Sequence, residues 1–332
     1  MEKPKKFYNI SLLRIFAIFM IFSFHLCQTY SLTQGKQYFP LYFGVQIFLF
    51  ISGFLYSFKE ISSYKVFFKK NFTKILVPTF LFISICLVVG GLYALFTQTG
   101  FVDFFYRTSA SGEVMSIYGH LWYIPAILFC YLTLPLLKNL DNKKVLYIPL
   151  SLLFVVEIVL MTFLNVQMVF LPFYAGFVFY KILNTAWYQK NKIWLLIVCV
   201  AIFVGAGMVH YFAYNSAYMI NKLPYLRSLL NEASTGLLGI SFSVLFIETF
   251  SFANKFDRLS KPLGYTDKYI FALYFMHSFM IIALTLNGGI PVISGYLAVN
   301  IILIMISTLV STIIFQKVAD VIIKHLPWMK KK

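Results

Sequence analysis

The stretch Leu12–Tyr30, LLRIFAIFMIFSFHLCQTY, is an apolar run holding one arginine and one histidine. It is long enough to cross a bilayer as a helix. Arg14 and His25 stand eleven residues apart. At about 100° per residue that is close to three full turns, so both side chains leave one helix face, roughly 16 Å apart along the axis. Such a helix presents a fixed cation near one interface and an imidazole in the opposite half of the membrane. Ionisable groups at that depth are costly, and by default they mark a site.

The whole chain has the same character. Of its 332 residues 60% are hydrophobic, 20% aromatic and only 12% charged. A soluble domain has no way to hide so much apolar surface, whereas a polytopic membrane protein has no need to. Ten apolar segments read as spans, at roughly 9–29, 40–58, 74–96, 121–137, 145–164, 168–184, 193–212, 234–251, 269–286 and 296–317. The expected fold is therefore an all-α polytopic integral membrane protein of about ten transmembrane helices. It reads as one membrane-embedded domain over residues 1–332, with no appended soluble domain.

With the N-terminus inside, 24 of the 28 basic residues fall on the cytoplasmic side, and only Lys36, Arg107, Lys222 and Arg227 lie outside. That asymmetry orients the chain with both termini cytoplasmic. It also explains the net charge of +17 without nucleic acid, which is excluded as a partner. Lys3, Lys5 and Lys6 precede the first apolar run as in a signal peptide. No small-residue cleavage site follows, so the run reads as a retained helix. Cys27, Cys86, Cys130 and Cys199 each fall inside a span without metal spacing, and they read as packing residues.

Several span residues invite two readings. Ser52 and Gly53 interrupt the large side chains of span two. Such a pair permits close helix approach, here expected beside span one near Arg14. In KVFFKKNFTKILVP (65–78), Lys70 and Lys74 share a helix face before Pro78. They are either positive-inside charge or a pair for a polyphosphate ligand. The outer connection between Thr97 and His120 contains Glu113. His120 and Trp122 open span four, where an imidazole beside an indole suits the mouth of an aqueous cavity. Tyr123 fits an interfacial aromatic belt. Glu157, in LFVVEIVLM, is the carboxylate deepest in any span, and it either orients a histidine or hydrogen-bonds a neighbouring helix. Tyr274 and His277 are neighbours on one face of span nine, with His277 near mid-membrane. His210 and His325 read as interfacial, and Glu248 as solvated.

Four pieces in this order resemble the membrane acyltransferase type 3 family. They are Arg14 through His25, GVQIFLFISGF (44–54), HLWYI (120–124) and LYFMHS (273–278). With the ten-span layout they cover essentially the whole chain. The resemblance implies a multi-pass enzyme of the bacterial cell membrane. Such an enzyme O-acylates a cell-envelope glycan, taking acetyl from cytosolic acetyl-CoA as donor substrate and holding no bound cofactor or metal. Arg14 and His25 match the family's span-one arginine and histidine. The family's basic pair after span two is usually two arginines three apart. Here Asn71 and Lys74 stand in that place, with Lys70 beside them.

Acetyl transfer from a thioester to a sugar hydroxyl needs a proton acceptor for the alcohol, stabilisation of the oxyanion and exclusion of water. His25 is the expected base. Arg14 suits a phosphate or carbonyl oxygen near the cytosolic face. Arg14, Lys70 and Lys74 are the expected acyl-CoA contacts, with Ser52 and Gly53 beside a narrow passage for the donor's pantetheine arm. His120, Trp122, Glu157, Tyr274, His277 and Glu113 are the expected acceptor-side or cavity residues. Expected partners are acyl-CoA, the glycan, the bilayer and an envelope-biosynthesis complex. The rival reading is a transporter or flippase of a lipid-linked glycan, since scattered intramembrane histidines suit a translocation path too.

Overall fold

The computed structural model describes residues 7–30, 41, 43–98, 106–108, 114–116, 119–139, 147–164, 166–256, 258, 260–285 and 296–327. Its helices are α1 (Tyr8–Thr29), α2 (Gly44–Phe58), α3 (Tyr64–Thr97), α4 (Tyr123–Leu132), α5 (Leu134–Asn139) and α6 (Tyr147–Leu164). They continue with α7 (Phe170–Leu183), α8 (Ala186–Asn215), α9 (Ala217–Lys222), α10 (Pro224–Thr249), α11 (Ser260–Ala283) and α12 (Leu297–His325). A 3-10 turn, Gly119–Trp122, leads directly into α4. Nine of the ten expected spans lie mainly on a single helix each, while that at 121–137 runs over the 3-10 turn, α4 and α5.

Among the described residues seven segments are long and apolar enough to cross a membrane: α1, α3, the segment Gly119–Asn139, α6, α8, α10 and α12. Helices α2 and α7 are shorter apolar helices. Large apolar side chains point outward, with Phe96 84% and Ile193 74% exposed, while His210 and His277 are fully buried. That inversion of a soluble protein's pattern fits a hydrocarbon surround. One antiparallel strand pair, β1 (Tyr106–Thr108) and β2 (Val114–Ser116), adds to the helical class expected. It pairs Arg107 with Met115 in the connection after α3.

Several helices begin earlier than their apolar runs. Ser63 caps α3 by accepting from the amide of Val66, Thr185 caps α8 by accepting from that of Tyr188, and Pro224 stands at the start of α10. Thus α3 starts ten residues before the hydropathy boundary at 74, and α10 ten before that at 234. The inner loop expected over Lys59–Thr73 is largely the first turns of α3.

The chain divides into two compact units. The first comprises Met1–Ile21, Phe39–Ser62 and Ala126–Gly264. In it α2 packs along α7, and α10 packs on α8, α2, α6 and α7. Ile10, Leu13, Ile47, Phe50, Phe54 and Leu238 are among its fully buried core residues. Asn9 Nδ2 donates to the Ile247 carbonyl (3.0 Å), fixing the start of α1 to α10. Glu248 is not solvated as expected. Its side chain is 7% exposed, ion-paired to Lys192 (2.5 Å) and accepting from the Tyr188 hydroxyl (2.9 Å).

The second unit comprises Phe22–Tyr38, Ser63–Pro125 and Tyr265–Lys332. In it α12 packs on α3, and Phe275 links the rings of Phe82 (5.2 Å between centroids) and Phe315 (5.6 Å). Lys268 pairs with Asp320 (2.8 Å), which also accepts from Gln316 Nε2 (2.8 Å).

Candidate active site

The second unit gathers three imidazoles from distant parts of the chain. His25 comes from the last turns of α1, His120 from the 3-10 turn before α4, and His277 from the last third of α11. The ring centroids of His25 and His277 are 5.2 Å apart, and those of His120 and His277 are 5.4 Å apart. Tyr274, one turn before His277, places its ring 5.0 Å from that of His120 and donates its hydroxyl hydrogen to the His120 carbonyl. Phe22, Phe82 and Tyr123 supply apolar walls. The four residues expected separately as base and cavity lining thus form one cluster.

Its members differ in exposure. His277 is fully buried, and His120 and Tyr274 are each 5% exposed, whereas His25 is half-buried. His25 also hydrogen-bonds the side chain of Gln28. His277 Nδ1 lies 3.1 Å from the carbonyl of Leu273. A carbonyl only accepts, so Nδ1 carries the hydrogen and Nε2 of the neutral ring carries a lone pair. That Nε2 is buried and has no hydrogen-bond partner among the described residues. His25 and His277 thus stand ring beside ring, and the Nε2 lone pair of His277 lies unengaged in the interior. Among the described residues no group of three or more His, Cys, Asp or Glu side chains has the arrangement of a metal site.

Arg14 belongs to the first unit, on the half-buried side of α1. It lies within electrostatic range of Tyr56, whose hydroxyl hydrogen-bonds Tyr131. Lys70 and Lys74 are exposed on α3, close enough to interact, while Asn71 donates to the Phe67 carbonyl (2.8 Å).

Two expectations are corrected here. Gly53 does not border a passage. A Cβ placed on it would lie 1.8 Å from the Phe173 carbonyl oxygen of α7, so the gap is filled by backbone, and Ser52 beside it is half-buried. The close approach of α2 to α1 occurs instead at Gly44, whose Cβ would meet the Ala17 carbonyl at 2.8 Å. Of the two readings of Glu157, the hydrogen bond to a neighbouring helix is the one observed, and no histidine is oriented by it. One of its oxygens accepts from the amides of Val169 (2.7 Å) and Phe170 (2.5 Å), the other from Leu171 (3.2 Å), so the carboxylate caps α7. Trp122 is half-buried at the end of the turn that carries His120. Glu113 lies outside the described residues.

A family model described as an acyltransferase domain matches residues 7–316. The chain belongs to the acyltransferase type 3 family. No curated protein matches it, and no solved structure does. The matched span contains every member of the histidine cluster of this acyltransferase.

A second polar group in the acyltransferase escaped the sequence reading. His210 is fully buried on α8, with Nδ1 3.3 Å from Ser234 Oγ and 3.5 Å from Thr235 Oγ1. Both hydroxyls donate to the Asn231 carbonyl, and Asn231 Nδ2 donates to the 1%-exposed Glu232 (2.9 Å). The available signal was Pro224. Reading it as the first helical residue would have placed Asn231 through Thr235 on one helix facing α8.

Proposed function

We propose that this acyltransferase moves an acetyl group from cytosolic acetyl-CoA to a hydroxyl of a cell-envelope polysaccharide or its lipid-linked precursor. It does so in the bacterial cytoplasmic membrane, with ten crossings and both termini inside. The carrying observation is the cluster of His25, His277 and His120, in which only His25 is half-open. His25 takes the proton of the acceptor hydroxyl as its oxygen attacks the thioester carbonyl. The tetrahedral intermediate collapses with cleavage of the carbon–sulfur bond, and His25 returns the proton to the departing thiolate. His277 supports this as a positioning residue, its dry Nε2 facing no competing donor. Arg14, Lys70 and Lys74 are assigned to the donor's phosphates and carbonyl, the work to which guanidinium and ammonium groups are suited.

The test is an assay on membranes carrying the protein, with labelled acetyl-CoA and a surface-glycan acceptor. Label reaching the glycan, and lost in His25→Ala, supports the proposal. Movement of unmodified glycan without label would replace it with a transporter.

A further inference from the structure

We infer that a recess between the ends of α6 and α8 and the first turns of α10 binds an acidic sugar residue. This assignment rests on the glycan acceptor proposed above and names the chemical class of its sugar. The recess has a volume of about 320 Å³ and is lined by Thr162, Tyr214, Tyr225, Arg227, Ser228 and Asn231, together with Phe163 and Pro224. Its size lies at the small end of ligand sites, which run to roughly 300–1,000 Å³.

The lining combines a flat apolar platform with polar groups whose roles are already partly fixed. Tyr225 is 59% exposed and is braced by Phe163, ring centroids 5.4 Å apart, so it offers a ring face suited to the C–H face of a pyranose. Arg227 Nε donates to the Ala213 carbonyl (3.2 Å), and the guanidinium lies 5.3 Å from the centre of the Tyr214 ring. Those contacts set the plane of the fork and leave both terminal nitrogens available. Among the described residues Arg227 has no carboxylate partner. A planar fork held this way matches a carboxylate in two-point contact.

The remaining groups accept rather than donate. Ser228 Oγ gives its hydrogen to the Met161 carbonyl (2.5 Å), and Thr162 Oγ1 gives its own to the Ile158 carbonyl (2.7 Å), so Thr162 presents a lone pair. Asn231 spends Nδ2 on Glu232, and its Oδ1 is buried with no partner among the described residues. One cationic fork, one acceptor oxygen for a hydroxyl hydrogen and one aromatic platform are the complement of a uronic-acid-like ring. A neutral lipid tail would use none of them.

The experiment uses the full chain in phosphatidylcholine nanodiscs, with trigalacturonate and neutral galactotriose as probes and calorimetric affinity as readout. Trigalacturonate should bind at least about tenfold more tightly, the scale of one charge-assisted contact. Arg227→Ala should abolish that preference, and Tyr225→Ala should weaken both probes. Arg227→Ala also removes a tie to the end of α8. Tyr225→Ala, with its exposed ring, keeps the test decisive if the arginine variant fails to fold.

Equal affinity for the two probes, no measurable binding, or wild-type binding by both variants would overturn the inference. So would an Arg227-dependent affinity confined to phosphatidylglycerol discs, which would assign the recess to a lipid headgroup. Binding of trigalacturonate by a protein that transfers no acetyl would sink the transferase proposal and leave the recess standing. Acetyl transfer with an unchanged acceptor KM in both variants would do the reverse.

Discussion

Gly53 and Gly176 are reciprocal. A Cβ on Gly53 would lie 1.8 Å from the Phe173 carbonyl oxygen, and one on Gly176 would lie 2.0 Å from that of Phe50. Each glycine thus admits the other helix's backbone, and α2 and α7 meet at van der Waals distance with Phe50, Phe54, Phe173 and Phe177 buried around the contact. Backbone is the obstruction, so no side chain can swing away to make room. Gly53→Ala is expected to destabilise the folded protein by about 3 kcal/mol, at the upper end for overpacking. A thermal-unfolding midpoint in detergent equal to wild type would contradict this packing.

The catalytic prediction concerns His25. His25→Ala should lower acetyl transfer by about 10²- to 10⁴-fold, the contribution of a general base, with membrane level and unfolding midpoint unchanged. Retained transfer at the wild-type rate would remove His25 from the chemistry.

Tyr274 tests whether the cluster needs its framework. Its hydroxyl donates to the His120 carbonyl, and Tyr274→Phe leaves a buried carbonyl with one donor fewer. The cost should be about 1–3 kcal/mol of stability. Transfer should fall through a lower kcat with both KM values kept, because no substrate contact is removed. A raised donor KM would place Tyr274 on the donor instead.

Glu157 gives the opposite expectation. Glu157→Ala strips the N-terminal amides of α7 of their acceptor and should cost about 2 kcal/mol. Glu157→Gln keeps an oxygen and should lose less. Kinetic constants of the protein that remains folded should match wild type in both. A specific loss of kcat in Glu157→Gln would return this carboxylate to the site.

What the sequence revealed, and what it hid, follows from the range of each interaction. The apolar helices were legible because long hydrophobic runs mark candidate spans directly. Their ends were not, because a helix outlasts its apolar run wherever a cap supports it, as Ser63 and Pro224 do for α3 and α10. The adjacency of Tyr274 and His277 followed from helical spacing. The gathering of His25, His120 and His277 did not, since it depends on tertiary contacts across 157 and 252 residues of sequence. Glu157 was ambiguous for a related reason. Its partners are main-chain amides twelve to fourteen residues on, and main-chain amides leave no trace in side-chain identity.

The length of α3 has a consequence for the membrane around it. Thirty-four residues at 1.5 Å each make a rod of about 51 Å, against a hydrocarbon layer of about 30 Å. The surplus forms a charged spur bearing Lys65, Lys69, Lys70 and Lys74. How far that spur stands clear depends on lipid chain length: thinner bilayers release more of it, thicker ones draw it in. A thiol installed by Lys74→Cys should therefore react with a water-soluble maleimide faster in short-chain than in long-chain vesicles. The enzyme's basic foot is in this sense a gauge of membrane thickness.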